Sequence, residues 1–275
     1  MGSSTGVQVD LLISPFDADP LAVVTLATEA ETLGFGSVWT YDHLTGEMFG
    51  RGHSNDAFTL LGAIAASTSR VQLGPLVANV VNRHPVRLAL AANTLQTLSS
   101  GRAIIGLGSG AAPGSRFARE HEALGSTLEG GPERRAMLVE AIGLLRALWS
   151  GAHSFEGRFF SVTNFDFGLA SANPPPVIIG ASGPATAELA LEHGDGLNVA
   201  NMAAYAKVSD LIAANRPREF EVSVHVPVSA SDSRPLDAQL PECSEGVDRW
   251  IFAVSAQTEP SQLAELFDAA CSNLG

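Results

Sequence analysis

Residues 70–110, RVQLGPLVANVVNRHPVRLALAANTLQTLSSGRAIIGLGSG, constrain the fold more than any other stretch. Residues 71–77 form a short, mostly apolar run and residues 103–107 a second one without charges. Runs of this kind suit strands buried on both faces. Between them, Pro85 fits the first position of a helix, where its missing N–H leaves no bond unmade, and Leu88, Ala91, Ala92, Leu95 and Leu98 recur on one helical face. Gly101 reads as the stop, since glycine tolerates the left-handed backbone that ends many helices. Strand, helix and strand in this order make a right-handed parallel crossover. Polar or glycine-rich residues follow both strands, at 79–84 and 108–110, the end of a sheet where α/β folds gather their chemistry.

The same alternation runs through the chain. Strand patterns fall at residues 7–13, 37–41, 177–180, 197–199, 220–228 and 250–254 as well. Helix patterns fall at 20–33, closed by Gly34, after a cap at Asn55 or Asp56, and at 132–149, 184–193, 203–215 and 260–271. About eight strand–helix units in 275 residues predict an α/β protein of the (β/α)8 barrel type, which typically needs ~250 residues, rather than an open doubly wound sheet. A composition of 45% hydrophobic and 16% charged residues fits a buried parallel sheet under a helical shell. Extra segments are expected after strands four and seven. Residues 109–131 lose periodicity and read as a long loop, while residues 229–249 are crowded with Ser, Asp and Pro where an outer helix is due. Aromatic and polar residues alternate around Glu156-Gly157, which predicts a β excursion over 153–167. With no solenoid repeat and no linker, residues 1–275 read as one domain.

The net charge, 16 − 29 = −13, gives no long-range attraction for nucleic acid or an anionic membrane. Cys243 and Cys271 are too few for a disulfide framework and lack metal-ligand spacing, so no metal site and a reducing, cytoplasmic setting are expected. No stretch approaches the ~20 apolar residues of a membrane span.

His43 follows the second strand and is the leading acid–base candidate, because imidazole exchanges a proton near neutral pH; a hydrogen-bonded structural histidine is the other reading. Its neighbour Asp42 could equally cap a turn. Gly108-Ser109-Gly110 allows close backbone approach and offers a hydroxyl. Gly180-Ala181-Ser182-Gly183-Pro184 is the better anion site, with glycine N–H groups just before a helix N-terminus. Asn79 reads as a turn residue or as an amide aimed at a ligand.

LGPLVANVVNRHP (residues 73–85) followed by LSSGRAIIGLGSG (98–110) resembles the luciferase-like monooxygenase superfamily, especially its branch that uses the deazaflavin coenzyme F420. LGFGSVWTYDH (33–43), PPVIIGASGP (175–184) and GVDRWIFAV (246–254) agree in order. The resemblance implies an oxidoreductase barrel, a homodimer, with F420 across its C-terminal mouth and a small-molecule substrate. It implies further that Asp42 touches the ring, that His43 faces the substrate, that Leu76-Val77 is a non-proline cis peptide behind the ring, that Asn79 meets the ring edge, and that residues 180–184 take the phosphate. Two positions depart from the sugar-phosphate dehydrogenases of the superfamily: Glu47 stands where they have a Trp and Ala111 where they have a Glu. That argues against glucose 6-phosphate and leaves His43, Glu47 or water as proton donor. Two other readings remain open, an FMN-dependent monooxygenase and a flavin-binding protein without catalysis.

Overall fold

The structure is a computed structural model that describes residues 6–228, 234, 236–241 and 245–274. From the N-terminus the chain runs β1 (Gln8–Ile13), α1 (Pro20–Leu33), β2 (Ser37–Thr40), a 3-10 turn (Glu47–Phe49), α2 (Ala57–Ser67), β3 (Gln72–Pro75), β4 (Ala78–Asn79) and α3 (Pro85–Leu98). It continues through β5 (Ile105–Gly108), α4 (Ala118–Ala123), α5 (Gly131–Trp149), the short β6 (Phe155–Glu156) and β7 (Ser161–Val162), then β8 (Val177–Ala181) and α6 (Pro184–His193). The last part comprises β9 (Gly196–Val199), α7 (Met202–Tyr205), α8 (Ser209–Asn215), β10 (Glu221–Pro227), a 3-10 turn (Leu236–Gln239), β11 (Arg249–Val254) and α9 (Pro260–Leu274).

The main sheet has the order β3-β2-β1-β11-β10-β9-β8-β5-β4, and all its pairings are parallel. A parallel bridge between Leu73 of β3 and Ala103, just before β5, closes the ring, with Leu73 N–H donating to Arg102 O and Ile104 N–H to Leu73 O. Neighbours in the ring follow the chain order, so this is a TIM barrel. Successive residues of a strand face opposite ways. Leu12, Trp39, Leu76, Ile104, Ile178, Ile251 and Ala253 therefore fill the interior, while Leu11, Ile13, Val38, Trp250 and Phe252 pack outward beneath the helices.

The N-terminal end of the barrel is plugged by charge. Buried Arg249 donates to Asp10 (3.0 Å), to Glu221 (3.0 Å) and to Gln72, and the two carboxylates hold its guanidinium in the charged form despite burial. The opposite end, where the loops following the strands lie, is where a site can open.

Several local expectations hold. Asp56, rather than Asn55, caps α2 by accepting from Thr59 N–H at 2.9 Å, and Gly34 ends α1 with φ 109°. The cap of α3, to which the sequence pattern assigns no residue, is His84, its Nδ1 accepting from Val86 N–H. The excursion over 153–167 is the antiparallel β6–β7 hairpin. Others are corrected. The third strand, read as 71–77, stops at Pro75 and resumes as the two-residue β4, with a cis peptide at Leu76-Val77 between them. The aperiodic loop 109–131 contains α4, too short to show a period. The helix read over 203–215 breaks at Ala206–Val208 into α7 and α8. Gly101 does adopt a left-handed φ of 91°, but α3 has already ended at Leu98 with Ser99 as its cap. In the segment after β10, a single 3-10 turn is the regular structure among the described residues; Cys243 lies outside them. Among the described residues no helix is long and apolar enough to cross a membrane.

Candidate active site

The C-terminal end of β2 carries Tyr41, Asp42 and His43. Arg83 grips Asp42 with Nε at 2.8 Å and Nη2 at 2.7 Å, and also reaches Asp56. Such a fork occupies both carboxylate oxygens and sets their plane. The carboxylate expected at a cofactor ring is therefore engaged within the protein, and the Arg-His-Pro string acts as its anchor. His43 is turned elsewhere. Its Nδ1 lies 3.0 Å from Glu120 Oε2, and the two side chains are 25% and 2% exposed.

Glu120 lies on α4, inside the stretch that read as a structureless loop. Its other oxygen accepts from the N–H groups of Leu44 (2.8 Å) and Thr45 (3.2 Å). Burial pushes this carboxyl up, but the His43 hydrogen bond and charge and the two N–H donors outweigh that and hold it below the usual carboxylate range. The adjacent His121 is buried too. Its Nε2 accepts from Ala111 N–H at 3.1 Å and faces the Asn79 amide nitrogen at 3.1 Å, while the Asn79 carbonyl accepts from Val81 N–H at 2.9 Å. Because Nε2 accepts from Ala111 N–H, the ring is neutral with its proton on Nδ1, and burial moves its pKa in the same direction, downwards. One N–H and the carbonyl of Asn79 are thus engaged by its own neighbours, which leaves its second N–H for another acceptor. Neither Glu120 nor His121 stands out in the sequence, where Arg119-Glu120-His121-Glu122 has the composition of a solvated face.

Glu47, one of the alternative proton donors beside His43 and water, is paired elsewhere. It sits on the 3-10 turn with its side chain 58% exposed and pairs with Arg119 at 2.8 Å. The carboxylate at His43 is Glu120.

Aromatic rings surround His43. Phe117, which precedes α4, stacks on it at 5.7 Å between centroids, Phe49 meets it edge-on at 5.5 Å, and Phe16 and Tyr41 stack on Phe49 in turn. Arg116 lies over the Phe49 and Phe117 rings. Tyr41 also reaches across the barrel, with its hydroxyl 2.7 Å from His225 Nε2. Burial alone raises the tyrosine and takes the histidine down to about 4, so the pair is neutral.

The glycines of the two loops differ in what makes them glycine. A Cβ on Gly108 would come within 2.6 Å of Val77 Cγ2, and one on Gly180 within 3.2 Å of Val77 Cγ1. These two positions accommodate Val77 on the inner wall, a packing reason that the expected cofactor contact does not supply. Leu76 belongs to the same interior cluster. Ser109 is half-buried, and Gly110, at φ 78°, lies against Val81, Asn79 and His121. Ala181 turns its methyl into the outer core. Gly183 is different. A Cβ there would meet nothing within 4 Å, and the residue precedes α6, whose first position is Pro184, whose N-terminus has no side-chain cap and whose first turn carries no acid. Open space at the positive end of a helix fits a phosphate. Ser182, exposed beside it, adds a hydroxyl.

A parallel eight-stranded barrel with a carboxylate-paired histidine and an anion-receptive helix end at one mouth has the site layout of a TIM-barrel enzyme. Residues 3–238 match the family described as luciferase-like monooxygenase, and the chain belongs to that family. It is 32% identical to the F420-dependent hydroxymycolic acid dehydrogenase of Mycobacterium tuberculosis over 280 residues, covering 98% of this chain and 73% of that protein. It is also 38% identical to the F420-dependent glucose-6-phosphate dehydrogenase of Beutenbergia cavernae, over 65% of this chain; there the match spans about half of that protein's length, 51%. Among solved structures, the fold is similar to the coenzyme F420 dependent tetrahydromethanopterin reductase from Methanopyrus kandleri, with a TM-score of 0.77 at 17% identity, covering 98% of this chain and 100% of that one. A similar likeness, TM-score 0.76 at 18% identity over 97% of this chain and 99% of that one, holds to an F420-dependent secondary alcohol dehydrogenase in complex with an F420-acetone adduct.

Proposed function

We propose that this chain, as one barrel domain, is a coenzyme F420-dependent oxidoreductase that exchanges a hydride with the carbinol or carbonyl carbon of a small organic substrate. The observation that carries the reading is the 32% identity, over 98% of the chain, to an F420-dependent dehydrogenase. When bound, the deazaflavin supplies the hydride donor or acceptor. Ser182, Gly183 and the α6 N-terminus would hold its phosphate, and Val77 with Gly108-Ser109-Gly110 would border its ring. His43 would take the proton from a carbinol oxygen, or give one to a carbonyl oxygen.

The rings of Phe16, Tyr41, Phe49 and Phe117 favour a substrate with an apolar body. A sugar phosphate fits less well, because Arg83 and Arg119 are already paired with carboxylates and Arg116 stacks on rings. Fluorescence titration of the protein with F420 and with FMN tests the cofactor. Tighter binding of F420 is expected; a clear preference for FMN would move the protein among the flavin monooxygenases, and binding of neither would end the reading. Secondary alcohols and ketones of increasing apolar size, followed by F420 absorbance, then test the substrate class.

A further inference from the structure

We infer that Glu120 is the positioning residue of His43, fixing which ring nitrogen does the proton work. The inference rests on His43 being the acid–base group of the proposed reaction. An ionised carboxylate can only accept hydrogen bonds, so Glu120 Oε2 at 3.0 Å requires the proton on His43 Nδ1. Nε2 is then the basic nitrogen of the neutral ring. When Nε2 takes a proton from a carbinol oxygen, the ring becomes imidazolium, and the charge that appears is balanced by Glu120 without either group moving.

Three features hold the pair in place. Glu120 is itself tied to the chain that carries His43, through the N–H groups of Leu44 and Thr45. The His43 ring plane is fixed by stacking on Phe117, three residues before Glu120, and by the edge contact with Phe49. The other ionisable groups around the ring offer no competing partner: Asp42 is paired with Arg83, Glu47 with Arg119, His121 and Tyr41 are held neutral, and Arg116 lies over the two phenylalanines. The segment between β5 and α5 thereby supplies both the carboxylate and the stacking ring, so the orientation of His43 depends on α4 being docked.

The test uses the full chain and two readouts. Long-range proton–nitrogen NMR on protein with labelled histidine reports the tautomer of His43 without cofactor or substrate. The Nδ1–H form is expected, and an Nε2–H form in the wild type would overturn the proposal whether or not any variant folds. Glu120→Gln removes the charge but keeps the shape. The expected result is a fall in kcat of about 10²-fold with KM and F420 affinity changed less than about threefold, and a His43-dependent limb of the kcat–pH profile displaced to lower pH. Glu120→Asp, which keeps the charge, should restore the position of that limb. A variant that loses thermal stability but leaves the limb in place would show Glu120 to be structural only. Failure of the wild type to bind F420 would remove the proposed function, while the tautomer measurement would still decide the role of Glu120.

Discussion

Val77 fills the space that Gly108 leaves: a Cβ at position 108 would come within 2.6 Å of Val77 Cγ2. The same side chain lies against Gly180, so two glycines on neighbouring strands accommodate one β-branched residue at the top of the barrel. Gly108→Ala is therefore expected to destabilise the fold by about 1–3 kcal/mol, the usual range for overpacking a filled interior. Urea unfolding measures this. Adding Val77→Ala should recover part of the loss, because the two sites share one contact. A Gly108→Ala protein as stable as wild type would mean that Val77 gives way freely.

Gly183 should behave in the opposite way. It has open space around it and an extended φ of 172°, which any residue adopts, so Gly183→Leu should keep the melting temperature within about 2 °C. Affinity for F420 should fall by about tenfold or more as the side chain fills the cradle in front of α6. Undiminished affinity in a folded variant would remove this helix end from the site.

His43→Ala should lower turnover by about 10²-fold or more while leaving F420 affinity little changed, as for a group that moves a proton without holding the cofactor. Single-turnover kinetics beside a binding titration separate the two. Lost binding with intact hydride transfer in the residual complex would make His43 a cofactor clamp instead.

His225 makes stability depend on pH. In the folded protein burial takes its pKa down to about 4, against roughly 6.5 in an unfolded chain. The unfolded state therefore binds the extra proton between these values. This contribution is present in full above pH ~6.5 and is lost as the pH falls towards about 4, on the order of 3 kcal/mol at most. Unfolding free energies measured at pH 7.5, 6 and 5 should fall more steeply for wild type than for His225→Phe. Parallel slopes would show that the Tyr41–His225 pair does not couple to protonation.

The alternation of short apolar runs with amphipathic helices was sufficient to identify the barrel, because each element's periodicity records locally which face is buried. The cap at Asp56 and the position of His43 after β2 were legible for the same reason: each depends on residues within a turn or a strand of itself. What acts on His43 was not legible. Glu120 is 77 residues away in the chain, on a helix of six residues that is shorter than two helical periods, and its burial comes from docking on the β2 loop. Glu47, near His43 in sequence, was the more visible carboxylate and faces solvent instead. The glycines make the same point. Gly108, Gly180 and Gly183 read alike as places for close approach, yet Val77 occupies the space beside the first two and leaves the third open. Local pattern determines where a strand ends and which way its residues alternate, whereas the partner of a buried charge and the occupant of a glycine's space are set by which distant segments meet there, and only the packed barrel decides that.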